Sequence, residues 1–258
     1  MPPAALPWMV AIALNTGLLA IAWGLPKKLL TPAGYLHAWG LGVLVWGCLG
    51  WRGYVVVMVY FLVGTAVTRI GMAQKEAAGI AEKRSGVRGP ENVWGSALTA
   101  TICALGAWIA ASGRIAGLSP PWVALFALGY VASFATKLAD TTASEVGKAY
   151  GKRTFLITTL RPVPAGTEGA VSLEGTLAGV VGSAVIAAVG WATGLISLVG
   201  VGLCLVAAFI ATNLESVIGA TLQEQVPWLT NELVNIVNTT IGAIAAMLLA
   251  LVFAQALP

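Results

Sequence analysis

Apolar residues run in blocks of 15 to 20 positions separated by short polar stretches, with neither the alternation of a half-buried strand nor the stripe of a surface helix. Leu6 to Leu25 is the first block. It lacks a basic leader and a small-residue cleavage signature, so it is expected to be a retained helix. Tyr35 to Trp51 and Tyr54 to Thr68 are the second and third, split by a turn at Trp51-Arg52-Gly53. Val93 to Ser112 and Pro121 to Thr136 follow. Leu173 to Thr212 is long enough for two helices and is expected to turn near Gly190 to Gly194. Asn238 to Leu257 is the last block. The pattern predicts an all-α polytopic transmembrane bundle of about eight spans (seven to nine), forming a single domain over residues 1–258.

Composition sharpens this. Hydrophobic residues make up 58% of the 258 positions and charged residues only 9%, against about 25% charged in an ordinary soluble domain. So few charges could not solvate the exterior of a soluble domain this apolar, which excludes a soluble enzyme or a nucleic-acid module. Cys48, Cys103 and Cys204 lie far apart inside apolar runs and make no disulfide framework or metal motif. His37, the only histidine, sits at the edge of an apolar run and is expected to be interfacial.

Alternating eight spans places the polar segments at about 26–34, 69–92, 137–173 and 213–237 on one side. Twelve of the 14 basic residues fall there, leaving only Arg52 and Arg114 opposite. The positive-inside bias makes the charged side cytoplasmic and puts both chain ends outside. All ten acidic residues share that side, which the bias does not require. Their segregation suggests a one-sided polar active surface.

The second of these segments carries five basic residues, among them Lys83, Arg84 and Arg88, and ends at Asn92. They could grip an anionic ligand or rest on acidic lipid. In the third, the fifth span is expected to continue as a helix through Lys152. Residues four and seven apart share a face, so Asp140, Ser144, Gly147 and Gly151 form one stripe and Thr141, Glu145, Lys148 and Lys152 its neighbour. Asp140 is the only aspartate, and a carboxylate at a membrane boundary is a functional candidate; an internal ion pair with Lys137 is the other reading. Gly166, Thr167, Gly169 and Ser172 then make a glycine-rich turn into a helix N-terminus, a geometry suited to phosphate. In the fourth segment Asn213 and Glu215 precede Asn231, Asn235 and Asn238, spaced along one face. These amides serve either as interhelical glue or as ligand contacts.

Four strings carry a resemblance: Lys137-Leu-Ala-Asp-Thr-Thr-Ala-Ser-Glu-Val-Gly147, the run Arg161 to Thr176, Ser216-Val-Ile-Gly-Ala-Thr-Leu-Gln223, and Asn231 to Asn238. Together they resemble the integral-membrane family of plant and cyanobacterial phytyl-phosphate kinases, over roughly residues 55 to 250. Glu215-Ser216 departs from the Asp-Ser found in many members. The resemblance implies transfer of a phosphoryl group from CTP, or another nucleoside triphosphate, to phytyl or another prenyl monophosphate. The product would be the diphosphate used for tocopherol and related prenyl lipids.

On that reading Asp140, Lys152 and Arg161 are the expected catalytic residues, and Asp140, Glu145 and Glu215 the expected Mg²⁺ ligands. Asp140 and Glu145 are five apart, so both bind metal only if the helix breaks. Lys152, Arg161, Ser144 and the Gly166 to Ser172 turn would hold nucleotide phosphates. Arg84, Arg88 and Asn92 would hold the acceptor phosphate, and Asn213 and Asn235 would add polar contacts. The expected partners are CTP, the prenyl monophosphate and the bilayer, with a second copy of the chain as a candidate and no nucleic acid. The expected location is a prokaryotic, cyanobacterial-type inner or thylakoid membrane. A transporter or flippase of an anionic lipid and a CTP-dependent cytidylyltransferase are the competing functions.

Overall fold

The computed structural model describes residues 6–26, 28–82, 86–113, 120–223 and 225–253. Lys27, Lys83, Arg84, Arg114 and Glu224 lie outside the described residues, so the expected role of Arg84 is not addressed by it. Eight α-helices follow in order: α1 Leu6–Gly24, α2 Pro32–Thr68, the short α3 Met72–Ala77, α4 Pro90–Ala111, α5 Pro120–Tyr150, α6 Leu173–Ala192, α7 Leu198–Ile218 and α8 Asn231–Val252. All but α3 are long and apolar enough to cross a bilayer. Their starts are written locally. Thr31, Ser172, Ser197 and Thr230 accept backbone N–H bonds as N-caps, and Pro32, Pro90 and Pro120 stand at first helical positions.

The 37 residues of α2 would measure about 55 Å if straight, nearly twice the thickness of a bilayer core of about 30 Å. The chain instead reverses at Gly50, where φ is +63°. Trp46 and Tyr54 ring centroids lie 5.2 Å apart across the reversal, whereas eight residues on a straight helix span about 12 Å. Both ends of α2 reach the same strip of chain: Thr31 N–H donates to the Arg88 carbonyl at 3.0 Å, and a Cβ at Gly86 would meet Thr68. The helix is therefore two antiparallel arms, which makes eight passes and agrees with the block pattern.

α5 is the axle. It packs against α2, α4, α6, α7 and α8, and 78% of its apolar window is buried, compared with 11% for α1. Its seam with α6 is made of small residues. A Cβ on Gly175 would stand 2.7 Å from the Ala143 carbonyl oxygen, and one on Gly182 would stand 2.9 Å from that of Leu138. Lipid offers no hydrophobic drive for pairing helices, so such close backbone approach supplies the packing that holds them. Interhelical hydroxyl and amide bonds add to it: Thr99 with Thr239 and Thr240 at 3.0 and 2.9 Å, and Tyr54 to Asn15 at 3.0 Å.

At 31 residues α5 exceeds the bilayer core by about ten residues, so its last turns stand in the charged layer, as expected. There the chain adds a small antiparallel hairpin, β1 Phe155–Leu156 with β2 Ala170–Val171, paired Phe155 to Val171 and Leu156 to Ala170. A single π-helical turn, Gly219–Gln223, closes α7. Two predicted boundaries shift. α5 ends at Tyr150, before Lys152, and the last helix starts at Asn231, seven residues before Asn238, because Thr230 caps it.

Candidate functional site

The extended end of α5, the hairpin, the start of α6, the end of α7 and the start of α8 enclose a cavity of about 200 Å³. Asp140 lies on its wall, 8% exposed. Lys137, one turn earlier, donates to the Asp140 carboxylate at 2.5 Å and to Asn235 Oδ1 at 2.8 Å. The Glu215 carboxyl of α7 lies against that of Asp140. Asn238 donates to it from Nδ2 at 3.5 Å, while the buried Asn238 Oδ1 has no hydrogen-bond partner. The internal ion pair is thus real, and it is also part of the cavity. In the asparagine stripe Asn235 and Asn238 act as glue, and Asn231 and Asn235 line the cavity.

Glu145 also borders the cavity, but its carboxylate is ion-paired with Lys75 of α3, both residues being at most 2% exposed. α5 does not break between Asp140 and Glu145. Glu145 therefore ties α3 to α5 and is not aligned with Asp140 as a ligand. Thr141, Ser144 and Lys148 complete the α5 wall.

Glycine-rich residues 166–169 form the opposite wall, with Gly166 at φ +89° and Gly169 at φ +75°. Glycine is required at 169 because a Cβ there would lie 2.5 Å from the Ser216 carbonyl oxygen. Thr167 donates its hydroxyl to the Pro164 carbonyl at 2.8 Å. Ser172 accepts from Gly175 N–H at 3.1 Å, so both hydroxyls already hold the turn and the helix start in place.

Two further cavities adjoin. One of about 460 Å³ is lined by Tyr60, Arg88, Asn92 and the first turn of α8, and it shares Glu82, Lys137, Thr141, Lys148, Asn231 and Asn235 with the first. Arg88 lies over the rings of Tyr60 and Phe61, 5.5 and 5.6 Å from their centroids, and donates to Tyr60 Oη at 3.3 Å. Asn92 Oδ1 accepts from Gly89 N–H at 3.0 Å, closing the start of α4. The other is a slot of about 50 Å³ between α6 and α7. Asn213 belongs to this slot, its amide donating to the Phe209 carbonyl at 2.7 Å.

Lys152 and Arg161 reach none of these spaces. Both are exposed; the bridge from Phe155 to Pro162 turns Arg161 outward, and Lys152 lies past the end of the helix. The expectation that they are catalytic is not supported by their placement. Lys148, on the stripe that also carries Lys152, takes the inward position instead. Sequence reasoning also passed over Glu168, Tyr60 and the pairing role of Lys75. Lys148 could have been found from its seven-residue spacing to Thr141, but nothing local marks Glu168 or Tyr60.

Facing the first cavity are five carboxylates (Glu82, Asp140, Glu145, Glu168 and Glu215) and two lysines (Lys137 and Lys148). No group of three or more His, Cys, Asp or Glu side chains converges as a metal cage among the described residues. The donor set nevertheless fits Mg²⁺. That ion is usually held by one or two carboxylates plus substrate phosphates, and here the Asp140–Glu215 pair stands beside an unpartnered amide oxygen with Lys137 as counter-charge.

A helical membrane bundle with a carboxylate- and lysine-lined cavity at one end is the class these features define. The sequence matches the family described as "Integral membrane protein DUF92" over residues 15–243, and the chain belongs to that family. It is 66% identical to "Uncharacterized membrane protein sll0875" of Synechocystis sp., covering 94% of this chain and 91% of that protein. It is 44% identical to "Protein VTE6, chloroplastic" of Arabidopsis thaliana, covering 94% of this chain and 72% of the plant protein. "Uncharacterized membrane protein MJ0933" of Methanocaldococcus jannaschii is 33% identical over 80% of this chain and 79% of its own length. No solved structure matches.

Proposed function

We propose that this protein is a membrane-embedded kinase. It transfers a phosphoryl group from CTP, or another nucleoside triphosphate, to phytyl or another prenyl monophosphate, giving the prenyl diphosphate. One observation carries the reading: the two larger cavities meet at a common wall that holds Lys137 and Lys148. A kinase must bring two phosphates together against their mutual repulsion, and it does so by positioning and charge neutralisation rather than covalent chemistry. Cations at the junction of two chambers serve that need. The resemblance of the Asp140 and Gly166 strings to phytyl-phosphate kinases supports the reading, as does kinship with cyanobacterial and chloroplastic membrane proteins.

In this account Lys137 and Lys148 bear on phosphate oxygens at the junction, and Asn235 keeps Lys137 aimed there. Asp140 and Glu215 are the residues that would hold Mg²⁺, with Asn238 fixing Glu215. Bound with the nucleotide, Mg²⁺ would neutralise charge on the transferring phosphoryl group. The acceptor is a phosphate monoester whose second pKa is about 6, so its attacking oxygen is already anionic at neutral pH. The bond between the γ-phosphorus and the β-bridging oxygen breaks, an acceptor oxygen-to-phosphorus bond forms, and the nucleoside diphosphate leaves. No general base is required. His37 fits this, since its Nδ1 accepts from Trp94 Nε1 at 2.8 Å and it lines none of the three cavities. The basic-residue bias supports a cytoplasmic charged face, and kinship with a cyanobacterial membrane protein supports an inner or thylakoid membrane.

The test is product analysis of purified protein incubated with Mg²⁺, CTP and phytyl monophosphate. CDP with phytyl diphosphate is the expected result. Release of inorganic diphosphate would mean a cytidylyltransferase instead, and an absence of nucleotide consumption would overturn both and favour transport.

A further inference from the structure

The three cavities are ordered. The central one shares six wall residues with the cavity beside Arg88 and five with the slot between α6 and α7, while those two outer spaces share none. The outer spaces differ in chemistry. The Arg88 side is polar, edged by Glu82, Glu91, Asn92 and Asn231 in the charged layer. The slot is floored by Ala139 and Ala143 of α5 and walled by Gly179 and Val180 of α6 and Phe209 of α7.

On α6 the slot runs from Thr176 to Ser183 and on α7 from Ser216 back to Phe209, seven residues each. That is about 10 Å along either helix, leading from the central cavity toward membrane depth. Thr176, Thr212 and Ser216 stand at the end shared with the central cavity, while Ser183 and Asn213, the other polar residues of the slot, donate from their side chains to the Val180 and Phe209 carbonyls. Val180 and Phe209 at the other end are 41% and 50% exposed on the lipid-facing side. The floor exists because small residues face each other: a Cβ on Gly179 would lie 3.1 Å from the Ala139 carbonyl oxygen and 3.2 Å from Ala143 Cβ.

We infer that the slot between α6 and α7 receives the first part of the acceptor's prenyl chain, so that the acceptor phosphate meets the Asp140–Glu215 pair from the membrane side. This inference rests on the kinase reading. An amphiphile with an anionic head and an apolar tail matches a groove whose apolar end opens to lipid and whose polar end opens on the charged cavity. A soluble nucleotide matches the polar chamber on the other side. The arrangement reverses the sequence expectation for Arg88 and Asn92, which then face the donor and not the acceptor.

Two measurements test the inference. Val180→Trp fills the slot from the lipid side; the KM for phytyl monophosphate is expected to rise about tenfold or more relative to that for dimethylallyl monophosphate, whose single isoprene unit ends in the mouth of the slot short of Val180. Val181→Trp, one residue away and outside the slot, is expected to leave both unchanged. Photolabelling of the wild-type protein with a diazirine-bearing prenyl monophosphate needs no turnover and is expected to label α6 and α7. Labelling confined to α2 or α4, or an unchanged phytyl-to-dimethylallyl KM ratio in Val180→Trp, overturns the inference. Failure of the kinase reading is separately visible: wild-type protein would then consume no CTP with either acceptor, whatever the photolabel marks.

Discussion

The last turns of α5 and the hairpin that follows carry the same kinds of residue and have opposite fates. On the helix, Lys137, Asp140 and Lys148 line a shared cavity, with Lys137 held by Asn235 of α8 and Asp140 set against Glu215 of α7. On the hairpin side, Lys152 and Arg161 carry the same charge as the two lysines, four and 13 residues beyond Lys148, and stand in solvent. Nearness in sequence to a glycine-rich turn does not place a cation at it. Helical period does so as long as the helix continues, and α5 stops at Tyr150.

Five single substitutions and two double changes bear on this contrast. Asp140→Asn removes the carboxylate from the inner group while conserving shape; turnover should fall by about 10³-fold or more, with unchanged helicity and monodispersity checking that the fold survives. Near-wild-type turnover would erase the distinction between the two regions.

Lys75→Met strands the buried Glu145 carboxylate, and removing one partner of a buried ion pair costs about 3–5 kcal/mol. The expected outcome is a clear drop in the thermal midpoint in detergent, recovered by the double change Lys75→Met with Glu145→Met. No drop would mean that α3 does not brace α5.

Lys148→Ala should lower kcat by about 10- to 100-fold, measured at saturating nucleotide, because one preorganised charge at the junction is lost. The smallest effect belongs to the outer cations. Lys152→Ala and Arg161→Ala, alone or together, are expected to stay within about twofold of wild type in steady-state rate, as exposed charges outside the cavities do. A large loss there would restore the hairpin cations to the site.

Much of the fold was legible because each signal was local. Blocks of apolar residues marked the spans, Trp51-Arg52-Gly53 marked the reversal within α2 to within one residue of its position at Gly50, and Gly190 to Gly194 marked the turn between α6 and α7, where Gly194 takes φ +73°. Asp140 was legible as a lone aspartate at a membrane boundary, and Glu215 through the motif that contains it. Other features depend on which helices meet. Glu168 enters the cavity because Gly169 packs on the end of α7, and the Lys75–Glu145 pair joins residues 70 positions apart. The slot arises from Ala139, Ala143 and Gly179, which read in sequence as ordinary small membrane residues.

The most direct test of the central claim is to follow a radiolabel on the γ-phosphate of CTP into the organic phase, with purified protein, Mg²⁺ and phytyl monophosphate. The account predicts label in phytyl diphosphate with wild-type protein and with Lys152→Ala, and none above background with Asp140→Asn. Label that never leaves the aqueous phase with wild-type protein, or that reaches the lipid equally well in Asp140→Asn, would contradict it.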